Sequence, residues 1–591
     1  MYLFIGFFKE DEIDRKRKYI SEKNVEPIKK VFPAFLDLNH AHIKATIGYF
    51  LGKGNGQKPC FLMDIDNISA SEKNIIIDFN KVQELDKTSE EIRKEIYKKS
   101  WQFDWIDKET GFCPLLLMVD KQTFDSIRKG TANIRKLSDK GEKVRDLKAK
   151  NKWDEICKLY EPLEDIHKNS DIWDNPDELY EIGFACSKMG EPQNGLEKDR
   201  EHLKTIKRYR DLSLRFYKRC FELEPTSYRY ASSVAYRYYQ NINELTKPKG
   251  RRDGNVSEEI ENAHEWFDKS LSLYPTSIKD NYRKGKMILD KQLPNMKYSG
   301  RELLREDFQE MDNLEDKATN CLRKAIGSYE SLSDDNRKKY YRNEYIKSLY
   351  TLGKFYIDQV KLPWNEFLCS RIGNKFYSPL FAETEYLVYG KELMEKCYKE
   401  VIGIDMNDEL DLGLLTNISK KSTTSPVDIL YSLGVLYFKM YFIKHVQNKQ
   451  DNIQVYRSYA YKFLNGAIDL RKEFRKQRIP FRNTDYINNC LANLNIIDNN
   501  YREAIYNTKR SKTSYIKNTY AAALMLTNDM NNIREATRIL KPIVSDKHNL
   551  SRNLSIVLLA KAYQLIGEEK EQERLINDSN KSVDRLLELI L

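Results

Sequence analysis

One helix-sized pattern recurs along the second half of the chain. It reads Leu349-x-x-Leu352-Gly353-x-x-Tyr356, then Leu430-x-x-Leu433-Gly434-x-x-Tyr437, then Ile556-x-x-Leu559-Ala560-x-x-Tyr563. Each copy sets a large apolar residue, a second one three on, a small residue next, and an aromatic three after that. At 3.6 residues per turn all four fall on one face of a helix, and the small residue marks where another backbone comes close. Val234-Ala235-x-x-Tyr238, Gly285-x-x-Ile288 and Ile182-Gly183-x-x-Cys186 are weaker copies. Such a chain is committed to helices that pack on helices.

A second pattern alternates with the first. Ala263-x-x-x-Phe267-x-x-Ser270-Leu271-x-Leu273-x-Pro275 has small residues at its crossing points and a proline that stops the helix. Ser213-x-x-x-Tyr217-x-x-Cys220-Phe221-x-Leu223-x-Pro225 matches it, as do Ala318-x-x-x-Leu322-x-x-Ala325-Ile326 and Ala460-x-x-x-Leu464-x-x-Ala467-Ile468; Ala536-x-x-x-Leu540-x-x-Ile543 is a partial copy. Together the two patterns resemble the A and B helices of the tetratricopeptide repeat (TPR), a 34-residue helix-turn-helix unit. In that family the B-helix small residue precedes the next A-helix one by about 22 positions. Here Ser213 to Ala235 is 22, Ala263 to Gly285 is 22, and Ala536 to Ala560 is 24. The resemblance covers about residues 150–575. The repeat period departs from the family: Ser213 to Ala263 is 50, Ala263 to Ala318 is 55 and Ala318 to Gly390 is 72. Thr246–Asn255, Gln292–Asp312 and Lys361–Glu383 read as insertions. Val583 to Leu591 reads as a capping helix.

Residues 1–135 read differently. Phe35–Leu38, Ile43–Leu51, Cys60–Ile65, Ile75–Phe79 and Pro114–Val119 have strand character, separated by turn signals at Gly52–Gly56 and Asn67–Ser71. Helices are expected over Ser89–Lys99 and near Gln122–Lys129. The expected architecture is therefore mainly α: a small α+β domain over 1–135, then a TPR-like α-solenoid of antiparallel helix pairs over 136–591.

Composition agrees. Glycine (24) and proline (16) are scarce in 591 residues, which excludes turn-rich all-β folds. Tyrosine is abundant at 38, and Tyr217, Tyr238, Tyr356, Tyr437 and Tyr563 fall at expected packing positions. The net charge of +11 is mild for this length; it permits an acidic or nucleic-acid partner without requiring one. Nine scattered cysteines without a C-x-x-C pair fit reduced thiols. The apolar start, Met1 to Phe8, lacks a basic leader, and no run approaches the 18 or so apolar residues of a membrane span. A soluble, cytoplasmic protein is expected.

Catalytic signals are weak. Gly52-Lys-Gly-Asn-Gly-Gln-Lys58 lacks the order of a phosphate-binding loop and reads as a hairpin turn. His40-x-His42 with Asp37 is short of a metal-ligand set. Met63-Asp-Ile-Asp-Asn67 resembles the first strand of PIN- or NYN-type nucleases, but those need a helix directly after it, and the strand-like Ile75–Phe79 follows instead. No catalytic residues, metal or cofactor are expected.

The TPR resemblance implies a concave face lined by A helices that holds peptides, helices or extended segments of partner proteins. On that face the spacing puts Arg229 and Tyr236, Lys279 and Lys286, and Lys347 and Lys354, each pair seven residues apart, with Tyr282 and Tyr350 nearby. Such a basic stripe with tyrosines suits an acidic peptide, a carboxylate terminus or a nucleic-acid backbone. Further basic clusters lie at Lys247–Arg252, Arg337–Lys339 and Arg471–Arg478. Two functions are expected from this: a non-catalytic scaffold or adaptor holding a protein partner within a multi-component assembly, or an RNA-binding or nucleic-acid-processing component using the basic A-helix face and the N-terminal domain.

Overall fold

The computed structural model describes residues 2–7, 13, 15–21, 45–50, 57–70, 74–98, 116–119, 124, 127, 143–144, 147–191, 200–246, 256–297, 304–332, 335–379, 381, 384–477, 485–546, 548–579 and 583–591. The chain forms two compact units, Met1–Lys339 and Tyr340–Leu591. It is mainly α, a TPR-like α-solenoid preceded by a small α+β region.

The first unit begins with a six-stranded sheet: β1 (Tyr2–Phe7), β2 (Arg17–Ser21), β3 (Ala45–Phe50), β4 (Pro59–Ala70), β5 (Asn74–Thr88) and β6 (Leu116–Val119), in the order β2-β5-β4-β3-β1-β6. Only β1 and β3 pair in parallel. Helix α1 (Ser89–Lys98) packs against β3, β4 and β5. Strands β1 and β2 are additions to the sequence reading. Tyr2–Phe7 is an unbroken apolar run because both its faces are covered: Leu3, Phe4 and Ile5 are all buried. The turn expected at Asn67–Ser71 is not found over Asn67 to Ala70, which still pair with β5; Ser71 lies outside the described residues. Phe35–Leu38, Gly52–Gly56, His40 and His42 lie outside the described residues.

Helices follow from α2 (Trp153–Leu159) onward. In the first unit three hairpins stack: α3 (Pro176–Met189) with α4 (Arg200–Leu223), α5 (Tyr228–Leu245) with α6 (Val256–Leu273), and α7 (Ile278–Met287) with α8 (Arg305–Glu330). The small residues of the two patterns meet at the crossings. A Cβ on Gly285 would lie 2.9 Å from the Ala318 carbonyl oxygen, and one on Gly183 would lie 3.0 Å from the Tyr217 ring. Part of the expected Gln292–Asp312 insertion is helix: α8 begins at Arg305, so its B helix is simply longer.

The second unit begins within α9 (Asp335–Gln359) and continues with α10 (Trp364–Ile372), α11 (Glu385–Ile402), α12 (Leu412–Lys421), α13 (Pro426–Val446), α14 (Ile453–Lys476), α15 (Asp485–Ile497), α16 (Tyr501–Thr508), α17 (Ser514–Leu526), α18 (Met530–Ser545), α19 (Arg552–Ile566), α20 (Glu569–Asn577) and α21 (Asp584–Ile590). The turns after α13, α15, α17 and α19 contain the left-handed residues Asn448, Asn499, Asn528 and Gly567. Asparagine and glycine tolerate positive φ, so these residues let each A helix reverse tightly into its B helix.

Helix α13 corrects one expectation. Over its 21 residues it is long and apolar enough to cross a membrane, which the sequence reading missed because Asp428 and Lys439 interrupt the run. Two thirds of its apolar window (67%) is buried within the protein, where it packs on α14 and α11 as a core helix.

Candidate ligand-binding faces

In the first unit the predicted stripe falls on α5 and α7, and its cations are paired. Arg229 lies 3.7 Å from the centre of the Tyr180 ring and 3.9 Å from Glu181, which also binds Lys148 at 2.7 Å. Tyr236 is covered by Arg283, 3.9 Å from its ring centre. Arg283 in turn stands 3.6 Å from Asp280, a fully buried carboxylate that accepts hydrogen bonds from Ser232 (2.7 Å) and Ser270 (2.6 Å). Lys286 pairs with Asp290 at 2.6 Å, and the buried Lys284 pairs with Asp268. Lys279 is half-buried and engaged, while Tyr282 is 8% exposed and belongs to the core more than to an open surface. This face is therefore a mosaic of tyrosines and cations, most of the cations with a carboxylate beside them, rather than an uncompensated basic stripe. Sequence reasoning missed Tyr180 and Arg283. Arg283 was within reach, four residues after Lys279 on the same helix.

In the second unit Lys347, Tyr350 and Lys354 lie on α9. Lys354 pairs with Asp358, and Tyr350 accepts a hydrogen bond from Ser432 at 3.4 Å; burial pushes its hydroxyl pKa up. The expected insertion Lys361–Glu383 changes the picture most. It contains α10, which packs against α17, α19 and α21. Trp364 and Phe367 set their rings 5.6 and 5.0 Å from that of Phe442 on α13, and Leu368 and Cys369 are fully buried in one core with Ala492, Ala523 and Leu558. An apolar face of these repeats is thus covered by a helix of the chain itself. Lys439 of α13 fixes the point of departure, donating to the Ile357 and Val360 carbonyls at 2.6 and 2.7 Å.

Cations are in excess elsewhere in this unit, although Lys472, Lys476 and Arg538 pair with Asp469, Glu473 and Glu535. Between residues 471 and 541 there are fourteen Lys and Arg against six Asp and Glu. Among the described residues, no hydrogen bond or ion pair involves the side chains of Arg502, Arg510, Lys512 or Lys517. Lys509 stands 5.1 Å over the ring of Tyr506, which is 63% exposed. Tyr486, 53% exposed, stacks on Tyr515 with ring centres 5.7 Å apart and planes at 24°. The Ser511 hydroxyl donates to Asp485 at 3.1 Å and so ties the α16–α17 turn to the start of α15. The local charge imbalance was a usable sequence signal. The tyrosine stack was not, since it joins residues 29 positions apart.

The N-terminal carboxylates assemble no centre. Asp64 and Asp66 are exposed within β4, Asp66 accepts from the Asn80 amide at 2.6 Å, and β4 turns back into β5 rather than into a helix. Among the described residues no group of three His, Cys, Asp or Glu could hold a metal ion. Their cysteines are free, with Cys157 and Cys186 sulfurs 4.0 Å apart. Lys247–Arg252 and Arg478 lie outside the described residues.

No family model and no curated protein matches the chain. Among solved structures it is similar to the human IFIT1 dimer with m7Gppp-AAAA, at 13% identity over 79% of this chain and 85% of that one, with a TM-score of 0.28. It is also similar to a monomeric IFIT1 mutant with Gppp-AAAA, at 14% identity, 79% and 85% coverage and a TM-score of 0.29. The human IFIT1 dimer with PPP-AAAA gives 14% identity, 77% and 86% coverage and a TM-score of 0.25.

Proposed function

We propose that the chain is a non-catalytic binding solenoid of the TPR type whose ligand is a nucleic acid, RNA in the first instance, held on the cation-rich side of the second unit. The observation that carries this reading is the excess of fourteen cationic over six acidic residues between 471 and 541, several of the cations unpaired beside exposed tyrosines. Phosphate backbones bind by releasing counterions to such cations, and bases stack on such rings. Cations already matched to carboxylates, as on α5 and α7, gain less from a polyanion. The proposed nucleic-acid surface is therefore this one and not the A-helix stripe. The test is titration of labelled RNA into the protein over a salt series. Affinity should fall steeply as salt rises; absence of binding at low salt overturns the reading.

A second reading, a protein partner on the A helices of the first unit, is favoured by one observation. Arg229 and Arg283 lie over Tyr180 and Tyr236, with Glu181 and Asp280 3.9 and 3.6 Å away. Tyrosine and arginine held in place in this way supply much of the binding energy of protein interfaces. Capture of a protein that survives nuclease treatment and is lost on Arg229→Glu supports it. Capture that vanishes with nuclease returns the assignment to nucleic acid.

A further inference from the structure

We infer that the Tyr486–Tyr515 pair is a base-stacking platform, flanked by Arg510 and Lys512, that selects single-stranded over duplex nucleic acid. The inference rests on the nucleic-acid reading above and adds the strand state and the subsite. Two rings are already parallel to within 24°, and the outer one, Tyr486, is half exposed. A ring in that position offers a flat apolar surface at a helix start, with one face backed by Tyr515. An unpaired base can continue the stack; a base inside a duplex is already stacked on both sides and cannot. The turn that follows α16 carries Lys509, Arg510 and Lys512, and Ser511 of that turn is bonded to Asp485, next to Tyr486 in sequence. The cations are thereby held beside the platform. Tyr506, with Lys509 over its ring, presents a second exposed aromatic surface near the same turn. Asp485 sits at the platform too, but it is engaged by Ser511 and lies within the field of Arg471. Stacking rings interleaved with unpaired cations make a surface that tolerates any sequence and requires an open strand.

The test is fluorescence anisotropy on the full chain with three probes: oligouridine of about 12 nucleotides, oligothymidine of the same length, and an RNA duplex of matching size. Both single strands should bind more tightly than the duplex. Tyr486→Ala should weaken single-strand binding about tenfold, the loss of one stacked base, with Tyr486→Phe close to wild type. Because Tyr486 is half exposed, both variants should fold, with Tyr486→Phe keeping the wild-type melting temperature and Tyr486→Ala losing only its contact with Tyr515. The double variant Arg510→Glu/Lys512→Glu supplies an independent arm and should weaken all strands. If RNA binds but duplex and single strand bind equally and Tyr486→Ala changes nothing, the platform is refuted while the nucleic-acid reading stands. If no probe binds at low salt, both fall.

Discussion

The Arg283 guanidinium of α7 lies 3.9 Å from the centre of the Tyr236 ring of α5, so two successive A helices are joined by a cation over an aromatic face. The arginine is 19% exposed and has Asp280 3.6 Å away, so the ring sees a partly desolvated charge. Pairs of this kind contribute about 1 kcal/mol, more when desolvated. A double-mutant cycle of Arg283→Ala and Tyr236→Ala, followed by urea unfolding, should return a coupling of about that size. A coupling near zero would show that the two side chains act separately.

Gly434 sits where α13 crosses α14. A Cβ there would lie 2.6 Å from Leu464 Cγ, 2.7 Å from its Cδ2 and 3.2 Å from its main-chain nitrogen. Leu464 is fully buried and cannot retreat, so Gly434→Ala should cost about 1–3 kcal/mol by overpacking. Gly327 on the exposed side of α8 has nothing within 4 Å of its virtual Cβ. Gly327→Ala should instead stabilise by about 0.5–1 kcal/mol through helix propensity. Thermal melts of the two variants should move in opposite directions.

These two glycines mark what sequence could and could not give. Gly434, like Gly285 and Gly353, was legible because a close crossing forces a small residue into a fixed place on an apolar face. Gly327 has no such neighbour and carries no pattern. The role of α10 was hidden for another reason. Trp364–Ile372 interrupts the repeat and reads as an insertion, while its partners lie far along the chain: Arg371 bonds Tyr501, 130 residues away, at 3.1 Å. The pairing of Lys286 with Asp290 and of Lys354 with Asp358 was in plain view at i, i+4 spacing. Arg229 with Glu181 was not, since only the stacking of α5 on α3 brings them together.

Charge reversal should now separate the two candidate surfaces. Arg510→Glu/Lys512→Glu removes two unpaired cations and should flatten the slope of log affinity for single-stranded RNA against log salt by about one to two. Lys279→Glu/Lys347→Glu, on the A helices, should leave that slope near the wild-type value. The opposite pattern would return the nucleic-acid surface to the A-helix stripe.

Lys439 gives the molecule a measurable pH signature. Burial pushes its ammonium pKa down from 10.5 to about 8, with Asp358 opposing the change. The unfolded chain holds that proton up to pH 10.5, whereas the folded chain releases it near pH 8. Between those values the unfolded state binds more protons, so stability rises with pH; below pH 8 the cost of burying the charge is present in full. The two hydrogen bonds to Ile357 and Val360 survive deprotonation in part, because the amine still carries two N–H donors. Lys439→Met removes both the titration and those bonds. A tenfold difference in proton affinity between the folded and unfolded chain is worth about 1.4 kcal/mol. The stability of wild type relative to Lys439→Met should therefore climb between about pH 8 and pH 10 by up to roughly 3 kcal/mol. Taking the difference cancels the other groups that titrate in this range. Urea unfolding of both proteins at about pH 7, 8, 9 and 10 measures it, and a flat difference would mean that the Lys439 ammonium is solvated where the α9 chain turns toward α10.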